Sequence, residues 1–343
     1  MIVVMKPHAH DTQIERVCDT IRSRGLDCHV SKGSHTTIIG VIGDKTRLSD
    51  VQLVGFEGVR ELIPVSEPYK LAGRTGHPEN TVIDVGDAQV GTKELMIAAG
   101  PCAVEDYETM QITAHALAKQ GIRFLRGGAY KPRTSPYSFQ GLEEEGLKIL
   151  ARVARETNMK VVTEAIDDDS IARVSYYADV VQIGARNMQN FHLLREAGKC
   201  SKPVILKRGL SSTIEEWLNA AEYIMSSGNA NVILCERGIR TFETSTRNTL
   251  DISAVPVLKA KTHLPIIVDP SHAAGNRAYI ESLSMCAIAA GADGLIIESH
   301  PNPDCAKSDG AQTVSLEQFS ELMQKISQLA TVMGRTIPGV DIL

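Results

Sequence analysis

The sequence predicts a (β/α)8 TIM barrel preceded by a small ferredoxin-like α+β domain, and three observations point there. From Leu95 onward, eight short and almost uninterrupted apolar runs alternate with longer stretches of helical period. The first 65 residues follow a different order, strand–helix–strand–strand–helix–strand, and a stretch rich in Pro, Gly and polar residues divides the two regions. No GxGxxG follows the first long-region strand, which disfavours a doubly wound open sheet.

Residues 1–6 are a β-prone run. Asp11 is placed to cap a helix whose apolar residues Ile14, Val17, Cys18 and Ile21 recur at helical spacing, with Gly25 as its stop. Residues 28–32 and 36–42 read as strands, 48–54 as a short helix and 59–65 as a final strand. That order defines a ferredoxin-like module over residues 1–65. Residues 66–92 are expected to hold a linker and then a segment, TVIDVGD, that closes the floor of the next domain. The barrel is expected over 93–343, with strands LMIAAG, RFLRGG, KVVTEA, VVQIGA, PVILKR, VILCER, PIIVDP and GLIIES. Parallel strands covered by helices on both faces need no polar side, which is why such runs suit them. After PVILKR, the residues Ile214, Trp217, Leu218, Ala221, Ile224 and Met225 share one helical face, and Ser212 with Glu215 has capping-box spacing. The last helix carries Leu316, Phe319, Leu322, Met323, Ile326 and Leu329 on one side.

Composition excludes several functions. A net charge of −5 argues against a nucleic-acid-coating surface or a polybasic membrane face, so any basic cluster is local and informative. No apolar run approaches the roughly 18–20 residues that span a bilayer. The start, MIVVMKPHAHD, lacks the basic region, long apolar stretch and cleavage site of a signal peptide. The seven cysteines are scattered, odd in number and without a CxxC pair, which fits a reducing compartment. The expectation is a cytoplasmic protein with no nucleic-acid or membrane partner.

Active sites of such barrels lie at the C-terminal ends of the strands. Those ends deliver Cys102, Arg126 with Lys131 and Arg133 beyond it, Glu164, Arg186, Lys207 with Arg208, Arg237, Asp269 with His272, and Glu298 with His300. Any one of these is ordinarily a solvated rim charge or a loop residue; their convergence on one rim is not ordinary. Arg126, Lys131, Arg133, Arg186, Lys207 and Arg237 gather positive charge in an acidic protein, which calls for a polyanionic ligand bearing phosphate or carboxylate. Cys102, His272, Glu298 and Asp309 form a mixed sulfur, nitrogen and oxygen set. Such a set suits one divalent transition metal (Mn, Fe, Co or Zn) and not Ca or Mg, which prefer oxygen cages. Cys102 also reads as a small buried hydrophobe and Asp309 as part of a Ser-Asp-Gly turn, and both alternatives stay open.

The motifs GPCAVE (100–105), LRGGAYKPRTSPYSFQG (125–141), IGARNMQN (183–190), ILKRG (205–209), CERG (235–238), DPSHAAG (269–275) and IIESH to KSDGAQ (296–312) span the barrel in order. In them the chain resembles the 3-deoxy-D-arabino-heptulosonate 7-phosphate (DAHP) synthases, and the resemblance implies their reaction. Phosphoenolpyruvate condenses with D-erythrose 4-phosphate and water as the first step of the shikimate route to aromatic amino acids. It further implies Cys102, His272, Glu298 and Asp309 as metal ligands, and Arg126, Lys131, Arg186, Lys207 and Arg237 as contacts for phosphoenolpyruvate. Arg133 and Thr134 would take the aldose phosphate, with Lys131 as proton donor and Glu164 and Asp269 as polar helpers. The N-terminal module is similar to the regulatory domain of one subgroup. That likeness implies feedback inhibition by tyrosine or phenylalanine, with the module closing over the barrel mouth, and a homotetramer.

Three other readings compete. A 3-deoxy-octulosonate 8-phosphate synthase would take arabinose 5-phosphate on a similar barrel, although the KPRTS stretch favours the four-carbon sugar. A non-catalytic effector-binding barrel would not need an intact set of donors and cations. A metal-carrying N-terminal module, suggested by His8, His10, Cys18 and Cys28, would ordinarily show CxxC.

Overall fold

The computed structural model describes residues 1–33, 36–43, 48, 51–63, 68–132, 135, 137–337 and 339. The chain divides into two compact units, Met1–Lys70 and Leu71–Leu343.

In the first unit, β1 (Ile2–Met5), β2 (Asp27–Lys32), β3 (Thr37–Ile42) and β4 (Val59–Ile63) form an antiparallel sheet in the order β2-β3-β1-β4. This is a ferredoxin-like arrangement. The run Ile-Val-Val-Met is apolar on both faces, and accordingly β1 lies inside the sheet with all four residues buried. The helix α1 (Asp11–Ser23) packs Ile14, Val17, Cys18 and Ile21 into the core, and Gly25 follows it at φ +69°. His10, not Asp11, holds the N-cap position: its backbone N–H donates to Gln13 Oε1 at 3.0 Å, which leaves Asp11 in the first turn. The helix expected over 48–54 falls partly on residues 49 and 50, which lie outside the described residues; among the described ones Leu48 is in 3-10 conformation and a 3-10 turn runs over Leu53–Gly55. Leu48 and Leu53 still reach the core.

In the second unit, the eight apolar runs form β7 (Met96–Gly100), β8 (Phe124–Arg126), β9 (Lys160–Ala165), β10 (Val180–Ile183), β11 (Val204–Lys207), β12 (Val232–Glu236), β13 (Ile266–Val268) and β14 (Gly294–His300). Each pairs in parallel with its neighbours, and β14 pairs with both β13 and β7, closing the barrel. The hairpin of β5 (Ile83–Val85) and β6 (Ala88–Val90) shares one buried cluster with Met96, Phe124, Val180, Ile205, Ile233 and Ile267. Met96, Phe124 and Val180 are the first residues of their strands, so the hairpin closes the floor, as TVIDVGD suggests. Residues 71–81 are fastened to this unit. Glu222 accepts from the Leu71 and Ala72 amides at 3.0 and 2.9 Å, and Arg74 donates to Thr262 O at 2.7 Å.

The covering helices are α2 (Tyr107–Ala118), α3 (Glu143–Thr157), α4 (Asp168–Tyr177), α5 (Phe191–Lys199), α6 (Ile214–Ser226), α7 (Ala254–Lys261), the short α8 (Pro270–Ala274), α9 (Ile280–Ala289) and α10 (Leu316–Val332). In α6, Trp217 is fully buried and its indole donates to Leu206 O at 3.1 Å. Its capping box is Thr213 with Glu216, one residue later than the Ser212–Glu215 spacing suggests. The carbonyl of Ser212 is taken by Arg208 Nε at 2.9 Å, which ties that residue to the strand end and leaves the cap to its neighbour.

Candidate active site

Each strand end brings its residue to a common mouth because the parallel register aligns the strands. Glu298 stands level with Gly100, Arg126 with Val162 and Gln182 with Glu164. Cys102 lies just beyond β7, and its Sγ is 3.3 Å from Asp309 Oδ2 and 3.1 Å from Ser308 Oγ. One ligand atom from each of Cys102, Glu298 and Asp309 lies within 4.8 Å of the others. His272 borders this group: its Nε2 is 3.5 Å from Glu298 Oε1 and 3.9 Å from Asp309 Oδ2. Asp269, the N-cap of α8, accepts from His272 through both the backbone N–H (2.9 Å) and Nδ1 (2.8 Å). An ionised carboxylate only accepts, so the ring proton sits on Nδ1 and the Nε2 lone pair faces the other donors. Asp309 has φ +53°, a left-handed conformation that Asp tolerates better than most residues.

The cations fall into two groups. Arg126 Nη1 donates to Glu298 Oε1 at 2.7 Å and Lys207 Nζ to Asp269 Oδ2 at 2.5 Å, all four side chains being buried. Neither cation lines the open cavity. That cavity, of about 400 Å³, is lined by Lys131, Glu164, Arg186, Arg237, His272 and Asp309 among the expected residues. Arg240, Arg247 and Asn248 also line it and were not expected. Arg237 is buried, donates to Gly238 O at 3.4 Å and has no ion pair among the described residues. Lys131 Nζ reaches back to Cys102, 2.9 Å from its carbonyl and 3.0 Å from its Sγ. Gly128 permits this: a Cβ there would lie 2.8 Å from both Cys102 O and Lys131 Nζ. Similarly, a Cβ on Gly184 would fall 2.0 Å from Glu164 Oε1, so the carboxylate facing the cavity requires glycine at that point. Glu164 is held by Gln182 Nε2 at 3.1 Å.

Two strand-end residues turn away. Arg208 bridges Glu236 and Asp251 at 2.8 Å each, and His300 Nε2 faces Glu105 Oε2 at 3.7 Å. Arg133 and Thr134 lie outside the described residues. The long segment between β12 and α7 carries no periodic signal from which Arg240 or Arg247 could have been found.

Burial pushes the Cys102 thiol up to about 11, with Glu298 adding to the effect. Burial alone would raise Glu298, but His272, Arg126 and Lys131 outweigh it and hold that carboxyl at about 2. Asp269 likewise lies well below the usual carboxylate range, because His272 and Lys207 overcome its burial. Burial pushes His272 below 6.5 despite the pull of Asp269, and it pushes the Arg237 guanidinium down as well. A soft sulfur and two carboxylates at one spot, with an imidazole nitrogen bordering them, fit a divalent transition metal by the chemistry of the donors.

Fold and site together define a barrel enzyme that handles phosphorylated or carboxylated substrates beside a cluster of metal-donor side chains. The DAHP synthetase I family matches residues 79–334, and the DAHP synthase ferredoxin-like domain matches residues 1–67. Phospho-2-dehydro-3-deoxyheptonate aldolase of Thermotoga maritima is 53% identical over 97% of this chain and 99% of its own. A 2-dehydro-3-deoxyphosphooctonate aldolase of Francisella tularensis subsp. holarctica is 31% identical over 71% of this chain and 95% of its own. The crystal structure of the Thermotoga maritima DAHP synthase superposes with a TM-score of 0.79 at 51% identity, covering 98% of each chain. A truncated form from the same organism covers 78% of this chain and 99% of its own, with a TM-score of 0.74 at 52% identity. The chain belongs to the DAHP synthetase I family and is an enzyme of the aldol-type transferase class.

Proposed function

We propose that the cavity at the barrel mouth condenses phosphoenolpyruvate with D-erythrose 4-phosphate and water, giving DAHP and phosphate, the first step of the shikimate route to aromatic amino acids. Arg237 carries this reading: a buried guanidinium without an ion pair among the described residues, opening on the same cavity as Lys131, Arg186, Arg240 and Arg247. A desolvated cation of that kind is stabilised when an anion arrives.

Lys131, Arg186 and Arg237 hold the carboxylate and phosphate of phosphoenolpyruvate at the cavity lining, with Arg126 and Lys207 adding charge behind them. Arg133 and Thr134 remain the contacts for the aldose phosphate on the strength of the KPRTS resemblance. The enol carbon attacks the aldehyde carbon and forms the C–C bond, while the Lys131 ammonium protonates the aldehyde oxygen. Water then adds to the neighbouring cationic carbon. Glu164 takes the first proton that the water loses; the hydroxyl left on that carbon then collapses to the ketone as the C–O bond to phosphate breaks, and its proton leaves with the phosphate. Holding two polyanions in attacking geometry against their mutual repulsion is the main contribution of the cations, and in well-oriented model reactions such positioning is worth up to about 7–11 kcal/mol. Cys102, His272, Glu298 and Asp309 would hold one divalent ion, Mn, Fe, Co or Zn, which when bound supplies Lewis-acid polarisation of the aldehyde and orientation of the sugar. Asp269 fixes the His272 ring for that purpose.

Residues 1–65 are proposed as a regulatory module through which tyrosine or phenylalanine lowers turnover, and the assembly as a cytoplasmic homotetramer. No helix among the described residues is long and apolar enough to cross a membrane. The reaction is tested by phosphate release from phosphoenolpyruvate with a panel of aldose phosphates. Erythrose 4-phosphate is expected to turn over fastest, with loss of activity in EDTA and recovery in Mn²⁺. Faster turnover of arabinose 5-phosphate would move the chain to the octulosonate reaction.

A further inference from the structure

The two carboxylates of the donor group are each held from behind. Glu298 Oε1 faces His272 Nε2 and Arg126, while its other oxygen accepts from Gln312 Nε2 at 2.5 Å. Asp309 Oδ2 faces Cys102 Sγ and His272 Nε2, while its other oxygen lies 3.4 Å from Arg247 Nη1. The two outer contacts join, because Arg247 Nη1 also donates to Gln312 Oε1 at 2.9 Å. Chemistry fixes the orientation of this amide. A guanidinium has only donors and ionised Glu298 only acceptors, so the Gln312 carbonyl must face Arg247 and its NH₂ must face Glu298. Gln312 is 2% exposed and sits in the 3-10 turn Gly310–Gln312 that Asp309 caps, so one short turn carries both a donor and the brace of its neighbour.

We propose that Gln312 and Arg247 are positioning residues. They occupy the outer oxygens of Glu298 and Asp309, so that each carboxylate turns a single oxygen toward Cys102 and His272. A carboxylate whose second oxygen is engaged would offer an ion one atom and not two. Arg247 lines the substrate cavity while touching Asp309 and Gln312, so its side chain ties the long segment after β12 to the carboxylates of the donor group. Outer partners of this kind commonly change metal affinity by about 10–100-fold when removed.

The inference rests on the metal reading of Cys102, His272, Glu298 and Asp309, and the test separates the two. Co²⁺ affinity of the full chain is measured by competition with a chelator, and the cobalt–thiolate absorption reports Cys102. If the parent chain shows neither 1:1 binding nor that absorption, the metal reading itself fails. If it shows both, Gln312→Met is expected to weaken Co²⁺ binding by about 10–100-fold, with the melting temperature of the metal-free protein unchanged. Gln312→Glu, which keeps the Arg247 contact but cannot donate to ionised Glu298, is expected to be at least as weak. Should Gln312→Met fold poorly, the more exposed Arg247→Met is expected to lose several-fold in Co²⁺ affinity and Arg247→Lys to recover part of it. Parent-like affinity in Gln312→Met, or in Arg247→Met where the first variant does not fold, overturns the proposal.

Discussion

The Cys102 thiol, held up at about 11 by burial, keeps its proton at neutral pH, yet the thiolate is the form that binds a metal. An ion arriving there must displace that proton. His272 lies below 6.5 and is already neutral at pH 7, and Glu298 at about 2 is already ionised, so neither adds to the release. Raising the pH from about 7 to 9 should therefore tighten Co²⁺ binding by about tenfold per unit, the slope of one released proton. Titrations at several pH values check the slope, and Cys102→Ser should flatten it; a flat profile in the parent chain would remove the thiol from the donor set. At this scale the sequence was partly legible. Strand-end position brought out Cys102, Glu298 and Arg237, because the parallel register maps sequence onto one rim. Arg247 lies ten residues beyond Arg237, in a segment whose course no periodicity dictates, and it stayed hidden. Gln312 stood inside a quoted motif, but its role depends on Glu298 and Arg247, which only folding brings to it.

Elements were more legible than residues, and for a physical reason. A strand covered on both faces leaves a continuous apolar run, and β7 to β14 each do so. Caps are decided by competition between neighbours, as at α6, where Arg208 claims Ser212 and Thr213 takes over. Thr213→Ala should accordingly lower stability by about 1 kcal/mol, whereas Ser212→Ala should leave the cap intact; denaturant unfolding of the two variants distinguishes them. His263 offers a pH signature. Its ring stacks on His77 at 4.2 Å, and its nitrogens lie 2.6 Å from Thr81 Oγ1 and 2.7 Å from Leu71 O. Burial lowers its pKa below 6.5 although the Leu71 carbonyl pulls the other way. The unfolded chain thus takes up this proton first. The contribution of the neutral ring is complete above about pH 6.5 and is lost as the pH falls below it. Between pH 8 and 5.5 the melting temperature of the parent chain should fall more steeply than that of His263→Gln. Parallel curves would show that this ring does not contribute.

For the molecule as a whole, the division into Met1–Lys70 and Leu71–Leu343 sets the next experiment. A chain starting at Leu71 keeps the Glu222 grip on its first two backbone nitrogens and every described donor and cation of the site. It should fold, release phosphate from phosphoenolpyruvate and erythrose 4-phosphate, and lose inhibition by tyrosine or phenylalanine. Inhibition equal to that of the full chain would place the effector on the barrel instead. The floor hairpin has a consequence for where damage lands. Ile83, Val85, Ala88 and Val90 brace the strand starts, at the opposite ends from the tips that carry the chemistry. A substitution there costs stability and leaves the reacting groups where they are.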